Sequence, residues 1–189
     1  MTSENIPSGT DRIAEAAAFE DADIIVNVQG DEPEISGTSI DLAIQILLDH
    51  PDFVMSTLGA PIRIREQLED PGCVKVVFDS TYRALYFSRS VIPHPRGGIR
   101  EEHFTQSPPL FYRHIGLYAY RREFLLRMSR LEQSAPEIIE SLEQLRCLHH
   151  GYSIMVGIVD GTAQGIDTPE DYRRFVRRTA EKQSYLVGS

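Results

Sequence analysis

Ile24-Ile25-Val26-Asn27-Val28-Gln29-Gly30-Asp31-Glu32-Pro33 combines a short apolar run with an acidic turn. The run is rich in β-branched residues and has charged residues before it and Gly-Asp-Glu-Pro after it, which is typical of a strand buried in an α/β sheet. Ligands of open α/β sheets bind beyond the carboxyl ends of the strands. We therefore expect Asp31 and Glu32 to project into a ligand cleft, where a carboxylate suits Mg²⁺ held against phosphates. The alternative is a solvated turn in which Asp31 only caps backbone amides.

Composition predicts a single domain without a membrane span. The chain has 189 residues, of which 41% are hydrophobic and 25% charged, as in ordinary globular proteins. No apolar run approaches the ~20 residues of a membrane span, and the first residues lack the pattern of a signal peptide. Cys73 and Cys147 are far apart without CxxC spacing, which favours two reduced thiols. We expect residues 1–189 to form one cytoplasmic domain.

The charge balance narrows the class of partner. The formal net charge of −9 argues against a general nucleic-acid binder, which would carry a basic patch on a basic domain. A nucleotide substrate remains compatible with this charge, because a cleft can be locally basic on an acidic protein.

A second polar turn, Ser8-Gly9-Thr10-Asp11-Arg12, runs into an alanine-rich segment that favours helix. Thr10 or Asp11 suits the N-cap, and Glu15 falls near the place of a capping acid. Such a turn exposes backbone N–H groups that suit an anion or a base edge. The alternative is a helix cap without any ligand.

The remaining elements follow from hydrophobic periodicity and turn residues. We predict helices over about 39–49, 121–130 and 134–150 and a last helix that begins after Thr168. We predict strands over 53–62, 73–78, 84–87, 110–120 and 153–158.

Three segments carry polar residues that suit either a structural or a binding role. The polar region 97–109 is a candidate mobile flap or oligomer contact. His114, inside a predicted strand, suits either a core histidine with its hydrogen bonds satisfied or a ligand. Glu143 and Gln144 lie off the helix face that bears the leucines of the 134–150 helix, and solvent exposure is their ordinary fate.

Seven segments occur together and in order. They are 28–33 (Val-Gln-Gly-Asp-Glu-Pro), 8–12 (Ser-Gly-Thr-Asp-Arg), 86–89 (Tyr-Phe-Ser-Arg), 92–93 with Arg96, 114–120 (His-Ile-Gly-Leu-Tyr-Ala-Tyr), 141–146 (Ser-Leu-Glu-Gln-Leu-Arg) and 166–171 (Ile-Asp-Thr-Pro-Glu-Asp). With these segments the chain resembles, over essentially its whole length, the 3-deoxy-manno-octulosonate cytidylyltransferases, the CMP-Kdo synthetases of lipopolysaccharide biosynthesis. The resemblance implies an α/β, Rossmann-like nucleotidyltransferase fold of the nucleotide-diphospho-sugar transferase type, with a mixed sheet flanked by helices.

The resemblance also implies a reaction and its participants. CTP and 3-deoxy-manno-octulosonate (Kdo) would give CMP-Kdo and pyrophosphate, with Mg²⁺ neutralising charge on the phosphates. Catalysis would rest on positioning and electrostatics. The family is dimeric, and region 84–121 would supply sugar binding and a dimer contact, with residues 110–120 and the neighbouring loop in the interface.

Site residues are carried over by the same resemblance. Asp31 and Asp167 would be metal ligands and, with Arg89, catalytic residues. Arg89 suits the carboxylate of the sugar acid as a bidentate donor. The sugar acid would be held by Gln29, Arg89, His114, Glu143 and Gln144, and the cytosine and ribose would lie near Ser8 and Arg12.

One departure from the family pattern shapes the expectations. The family opens with a βα unit whose strand and basic, glycine-containing loop wrap the triphosphate, and residue 1 here already falls just before Ser8-Gly9-Thr10. The hypothesis is a truncated form that binds CTP poorly and leaves a sheet edge uncovered. Two alternatives to the Kdo enzyme are a cytidylyltransferase for a related acid, such as 8-amino-Kdo or a sialic acid, and an inactive module that serves in binding or dimerisation.

Overall fold

The protein folds around one mixed sheet with helices on both faces. The structure is a computed structural model and describes residues 9–30, 35–160, 173, 176 and 177. The helices are α1 (Gly9–Ala17), α2 (Gly37–Asp49), α3 (Arg65–Glu69), α4 (Glu102–Thr105), α5 (Arg122–Met128), α6 (Ala135–Glu140) and α7 (Gln144–His149). The strands are β1 (Ile24–Val28), β2 (Met55–Pro61), β3 (Lys75–Phe78), β4 (Ala84–Ser88), β5 (Tyr112–Arg121) and β6 (Ile154–Ile158).

The sheet has the order β4-β3-β5-β2-β6, and β1 also pairs with β5. Only the pairing of β2 with β6 is parallel among the described strands, so the predicted mixed sheet is confirmed. Strand β2 pairs with β5 from Tyr112 to Tyr120 and thus occupies one whole side of β5. Strands β3 and β1 therefore share the other side, β3 beside residues 112–113 and β1 beside residues 117–121.

Strand β1 forms at the predicted residues but is less buried than expected. Ile24, Ile25 and Val26 are partly buried, and Val28 is 43% exposed. Among the described residues β1 pairs with β5 alone. Its β-branched run specifies a strand, whereas burial depends on neighbours that the run does not encode.

Strand β5 separates two hydrophobic clusters by the period of two that strands impose. Ile115, Leu117 and Ala119 pack with Ala43 and Leu47 of α2 on one face. Tyr118 and Tyr120 point to the other face, which is covered by α1, α5 and α7. A third, smaller cluster lies under α3 and α4.

The predicted helix over 134–150 is two helices. Ser134 begins α6 with a capping box, accepting from the Glu137 amide while the Glu137 side chain accepts from the Ser134 amide. Ser141 then takes the left-handed conformation, with φ of 54°, and ends α6. Residues 140–144, which we call the α6–α7 corner, therefore turn between the helices.

The remaining predicted elements within the described residues are confirmed, with ends shifted by a few residues. Region 97–109 is partly anchored, because it contains α4 with a buried Phe104. The predicted last helix lies outside the described residues except for single positions. No helix in the described ranges combines the length and the apolarity that a membrane crossing requires.

Candidate functional site

The candidate site lies where β1 ends and β3 begins along the same side of β5. The Gln29 amide donates to the Gly116 carbonyl at 3.1 Å, and the His114 amide donates to the Val74 carbonyl at 2.8 Å. Residues 114–116 thus lie at the break between two strands. A break of this kind opens a crevice in an α/β sheet.

Three strands of the sheet share one direction, and two of them precede the predicted acidic segments in the sequence. Strands β1, β2 and β6 run in one direction, because β1 and β2 are both antiparallel to β5 and β6 is parallel to β2. Asp31 follows the carboxyl end of β1, and Asp167 follows that of β6. Both residues and Ser8 lie outside the described residues, and the described ones contain no group of three His, Cys, Asp or Glu side chains that could hold a metal ion.

Arg89 is fixed at the end of β4 through four different atoms. Its backbone amide donates to Glu140 Oε2 at 2.9 Å, and its Nε donates to the Glu140 carbonyl at 2.8 Å. Its Nη1 donates to the Pro71 carbonyl at 3.1 Å, and its own carbonyl accepts from Lys75 Nζ at 2.6 Å. The edge of the guanidinium formed by Nη1 and Nη2 retains donors, since Nη2 has no partner among the described residues.

Lys75 holds the backbone of Arg89 in place. Its side chain is fully buried, and Nζ also donates to the carbonyls of Asp70 at 2.9 Å and Cys73 at 2.7 Å. Burial lowers the pKa of Lys75 from its ordinary value. Three carbonyl acceptors compensate the ammonium for its lost water.

His114 is partly buried on the face that also bears Tyr118. Its ring packs edge-on against Phe87 at 5.1 Å and lies 5.2 Å from the ring of Tyr118. Nε2 lies 2.9 Å from Thr57 Oγ1. Burial, and secondarily the charge of Arg113, lowers the pKa of His114 to about 3. The imidazole is therefore neutral at physiological pH.

Glu143 is not the solvent-exposed residue that helix periodicity suggested. Its carboxylate accepts from the Gly9 amide at 3.2 Å and the Thr10 amide at 3.0 Å, so it caps α1. We expected Thr10 or Asp11 to cap this helix, but the helix begins at Gly9 and the capping group comes from residue 143. Glu143, predicted to bind the sugar acid, is thereby hydrogen bonded to the first turn of α1, the helix that carries Arg12 of the predicted nucleotide side.

Gln144 is also buried, only 3% exposed, although solvent exposure was its ordinary expectation. Its Nε2 has no hydrogen-bond partner in the described part of the chain. A buried amide without a partner is rare in folded proteins and calls for an acceptor. Gln144 therefore fits the predicted role of binding a polar ligand.

A buried ion pair holds α7 in place behind the corner. Arg146 Nε lies 3.0 Å from both carboxylate oxygens of Glu137, and both side chains are almost fully buried. Arg146 also lies 3.8 Å from Asp11 on α1. The hydrogen bonds with Glu137 are the main reason why the pKa of Arg146 is raised. The pair joins α6, α7 and α1.

Tyr120 gives α1 a further attachment to the sheet. Its side chain hydrogen bonds with Thr10 and with Asn27 of β1, while burial raises the pKa of its hydroxyl. The two remaining predicted residues are exposed: Gln29 beyond β1 and Arg12 on the first turn of α1. Every described residue of the predicted site thus lies at the strand break, at the end of β4, at the α6–α7 corner or on α1.

Sequence reasoning missed Lys75, Glu140 and Thr57, which hold predicted site residues. Lys75 gave a signal, because it is a charged residue inside the apolar run Cys73–Phe78. Glu140 and Thr57 gave none, since a helical Glu and a strand Thr are ordinary.

The polar groups described above are suited to binding a ligand and do not include an activated nucleophile. It offers a guanidinium with free donors, a neutral imidazole and an unpaired amide. Such groups recognise a carboxylate and hydroxyls, as a sugar acid carries.

Comparisons with known proteins agree with this geometry. The family model described as "Cytidylyltransferase" matches residues 1–154. A 3-deoxy-manno-octulosonate cytidylyltransferase of Rhodopirellula baltica is 48% identical over 179 residues, which cover 94% of this chain and 72% of that protein. The protein of the same name from Geotalea daltonii is 44% identical over 185 residues, covering 96% of this chain and 73% of the relative.

A solved structure is similar over the same extent. It is described as CMP:2-keto-3-deoxy-manno-octonic acid synthetase complexed with CTP, and it superposes with a TM-score of 0.84 at 38% identity. The match covers 96% of this chain and 72% of that one. The nucleotidyltransferase fold predicted from the sequence is confirmed.

Proposed function

Because the chain belongs to the cytidylyltransferase family, we propose that it transfers CMP from CTP to Kdo, giving CMP-Kdo and pyrophosphate for lipopolysaccharide biosynthesis. The observation that carries the proposal is the identity of 48% to a relative named for this reaction, over 94% of the chain. The polar groups at the strand break and the α6–α7 corner support it independently.

The proposed chemistry forms one bond and breaks one. The anomeric hydroxyl oxygen of Kdo attacks the α-phosphorus of CTP, and the bond from that phosphorus to the oxygen bridging to the β-phosphate breaks. Pyrophosphate leaves with the electron pair, and the hydroxyl proton passes to solvent. Little covalent work falls to the protein, so positioning and charge stabilisation carry the rate.

Arg89 is the proposed partner of the sugar carboxylate. The contacts of Nε and Nη1 fix the plane of the guanidinium. The edge formed by Nη1 and Nη2 then presents two parallel donors, the geometry that binds a carboxylate bidentately. Lysine cannot reproduce this contact, since an ammonium is a point charge.

Gln144, Gln29 and Glu143 are the proposed partners of the sugar hydroxyls. Gln144 brings a buried amide that lacks a partner in the described chain. Glu143 already accepts two backbone amides of α1, so a hydroxyl would share its carboxylate with the helix. We place the nucleotide on the side of Ser8 and Arg12, at the amino end of α1.

Mg²⁺ is the proposed metal, with Asp31 and Asp167 as its protein ligands. Their segments follow strands that run in the same direction, and carboxylate oxygens are the ligands that Mg²⁺ prefers. The ion neutralises charge on the phosphates when it is bound.

A homodimer in the cytoplasm is part of the proposal. Residues 110–120 and the neighbouring loop remain the expected interface. We extend this interface to β4 and α6, where Leu85 is 59% exposed and Ile139 is 82% exposed. Cys73 and Cys147 are not joined by a disulfide, which is the usual state of cysteines in the cytoplasm.

The test is pyrophosphate release from CTP and Mg²⁺ with Kdo, 8-amino-Kdo or a sialic acid as acceptor. We expect release with Kdo, and a loss of roughly 100-fold in kcat/KM in Arg89→Met, because a charge-assisted bidentate contact is removed. Arg127→Met is the matched control, since Arg127 is exposed on α5. A clear preference for one of the other acids would assign the related activity. No release with any acid, together with no CTP binding by calorimetry, would contradict the proposal.

A further inference from the structure

Thr57 occupies an irregular point of the sheet next to His114. The pairing of β2 with β5 shifts between Thr57 and Leu58, from Tyr118 to Ile115, so β5 bulges. Thr57 is fully buried at this bulge. Its hydroxyl lies 2.8 Å from the Leu117 carbonyl and, more distantly, 3.4 Å from the Ile115 carbonyl.

The hydroxyl has one proton and cannot serve every neighbour as a donor. Both carbonyl oxygens accept hydrogen bonds only, so the Thr57 proton must point to them, chiefly to Leu117. Thr57 Oγ1 then has only a lone pair for His114 Nε2 at 2.9 Å. That contact is favourable only when Nε2 carries the proton.

The second ring nitrogen is thereby an acceptor. A neutral imidazole has one N–H and one bare nitrogen, so a proton on Nε2 leaves Nδ1 bare. His114 is partly exposed, Nδ1 has no hydrogen-bond partner in the described chain, and it is not among the buried unpaired atoms. Nδ1 therefore keeps some solvent-accessible surface.

We infer that Thr57 fixes His114 as the Nε2–H tautomer, so that His114 Nδ1 accepts a hydrogen bond from a hydroxyl of the sugar acid and does not bind its carboxylate. A bare nitrogen and a carboxylate oxygen repel, because both are acceptors. The inference rests on the proposed function and adds detail to it. His114 binds a hydroxyl of the sugar acid, and Arg89 binds its carboxylate. Thr57 acts as a positioning residue.

The tautomer is measured without any turnover. Protein labelled with ¹⁵N on its six histidines is examined at pH 7.5 by long-range ¹H–¹⁵N correlation, and His114→Gln identifies the His114 signals. We expect a protonated Nε2 and a bare Nδ1. A protonated Nδ1, or a charged ring, would overturn the inference whatever the enzyme does.

Adding saturating Kdo then tests the hydroxyl contact. We expect the Nδ1 resonance to move toward the protonated range while the tautomer stays the same. If other resonances move and Nδ1 does not, Kdo binds without this contact and the inference is wrong. If no resonance moves at any Kdo concentration, with or without CTP, the chain does not bind Kdo, and the proposed function fails with the contact.

Two substitutions test Thr57 itself. Thr57→Val removes the hydroxyl at almost the same volume, and Thr57→Ser keeps it as the matched control. In Thr57→Val we expect both tautomers and a KM for Kdo raised about tenfold, the size of one hydrogen bond, with the KM for CTP unchanged. Thr57→Ser should keep the parent tautomer and KM. A pure Nε2–H tautomer in Thr57→Val would overturn the role of Thr57.

Discussion

Glu140 and Arg89 are joined by two hydrogen bonds. In one, the Glu140 side chain meets the Arg89 backbone, and in the other, the Glu140 backbone meets the Arg89 side chain. Glu140 Oε2 accepts from the Arg89 amide at 2.9 Å, and the Glu140 carbonyl accepts from Arg89 Nε at 2.8 Å. The other carboxylate oxygen accepts from Ser88 Oγ at 2.6 Å. The end of β4 is thus attached to the α6–α7 corner, and the orientation of the guanidinium depends on that corner.

Glu140→Ala should therefore impair sugar binding although residue 140 need not touch the sugar. The substitution removes the acceptor of the Arg89 amide and of Ser88 Oγ, so the end of β4 loses its attachment. We expect the KM for Kdo to rise roughly tenfold or more while the KM for CTP stays within about twofold. Steady-state kinetics with each substrate varied in turn gives the comparison.

Glu140→Gln is the matched control for this prediction. Its amide oxygen can accept from the Arg89 amide, and Ser88 can turn its hydroxyl to accept from the new NH₂ group. We expect values close to those of the parent. Equal damage in Glu140→Gln and Glu140→Ala would show that the charge of residue 140, not its hydrogen-bond geometry, matters.

Lys75→Met should destabilise the protein and loosen the same site. Methionine has a similar length but no donor, so the carbonyls of Asp70, Cys73 and Arg89 lose their shared partner inside the protein. We expect the free energy of unfolding to fall by about 2–4 kcal/mol and the KM for Kdo to rise. Urea unfolding gives the first quantity. Arg127→Met should leave both unchanged, and an equally stable Lys75→Met would mean that water replaces the ammonium.

Much of the sheet could be predicted from local patterns. The hairpin of β3 and β4 is one example: Lys75–Phe78 and Ala84–Ser88 carry strand-forming residues, and the turn between them contains Asp79 and Ser80, which favour turns. The end of β4 then delivers Arg89 as expected. Strand and turn propensities act over a few residues, so the sequence reveals them directly.

The break at Ser141 could not be predicted in this way. Ile138, Ile139 and Glu140 continue a helical pattern, and serine has no strong preference for positive φ. The turn is supported by distant contacts, those of Glu140 with the end of β4 and those of Glu143 with α1. Such contacts join residues 50 to more than 130 positions apart, and no local pattern encodes them.

The resemblance to a family drew attention to residues that periodicity alone would have left on the surface. Glu143 and Gln144 are examples, since helix spacing places them off the apolar face. Their burial and contacts become visible only in the fold. The ligand-binding roles of Glu143 and Gln144 stay predictions, as do those of Asp31, Asp167 and Ser8, which lie outside the described residues.

His114 should make stability sensitive to acid. Burial lowers its folded-state pKa to about 3 from an ordinary 6.5. Between these values the unfolded chain holds a proton on the ring and the folded protein does not, so stability rises with pH across this window and is lost as pH falls from 6.5 toward 3. Thr57, Phe87 and Tyr118 contact the ring, and Arg113 acts on it through its positive charge. None of these four groups supplies a compensating anion.

His114→Gln should therefore flatten this dependence. Glutamine places its amide near the position of Nε2 and does not titrate. We expect the slope of unfolding free energy against pH between 6.5 and 4 to fall by the equivalent of about one proton. Urea unfolding at several pH values gives both slopes, and His50→Gln is the control on an exposed histidine. Parallel curves for the parent and His114→Gln would show that His114 titrates normally in the folded protein.

Glu143→Ala should act first on α1. The carboxylate of Glu143 caps the Gly9 and Thr10 amides, and loss of a helix cap costs roughly 0.5–2 kcal/mol. We expect faster hydrogen exchange in the peptide that covers α1, with little change in β2. The KM for CTP should rise together with that for Kdo, because α1 carries Arg12 on the proposed nucleotide side.

Glu143→Gln separates the capping role from a direct contact with the sugar. One amide oxygen can still accept from Thr10, so exchange in α1 should be intermediate between the parent and Glu143→Ala. If α1 exchanges at the parent rate in Glu143→Ala and only the KM for Kdo rises, Glu143 acts as a sugar ligand. If instead both Michaelis constants rise in proportion to the loosening of α1, the carboxylate couples the two substrate sides by holding a helix.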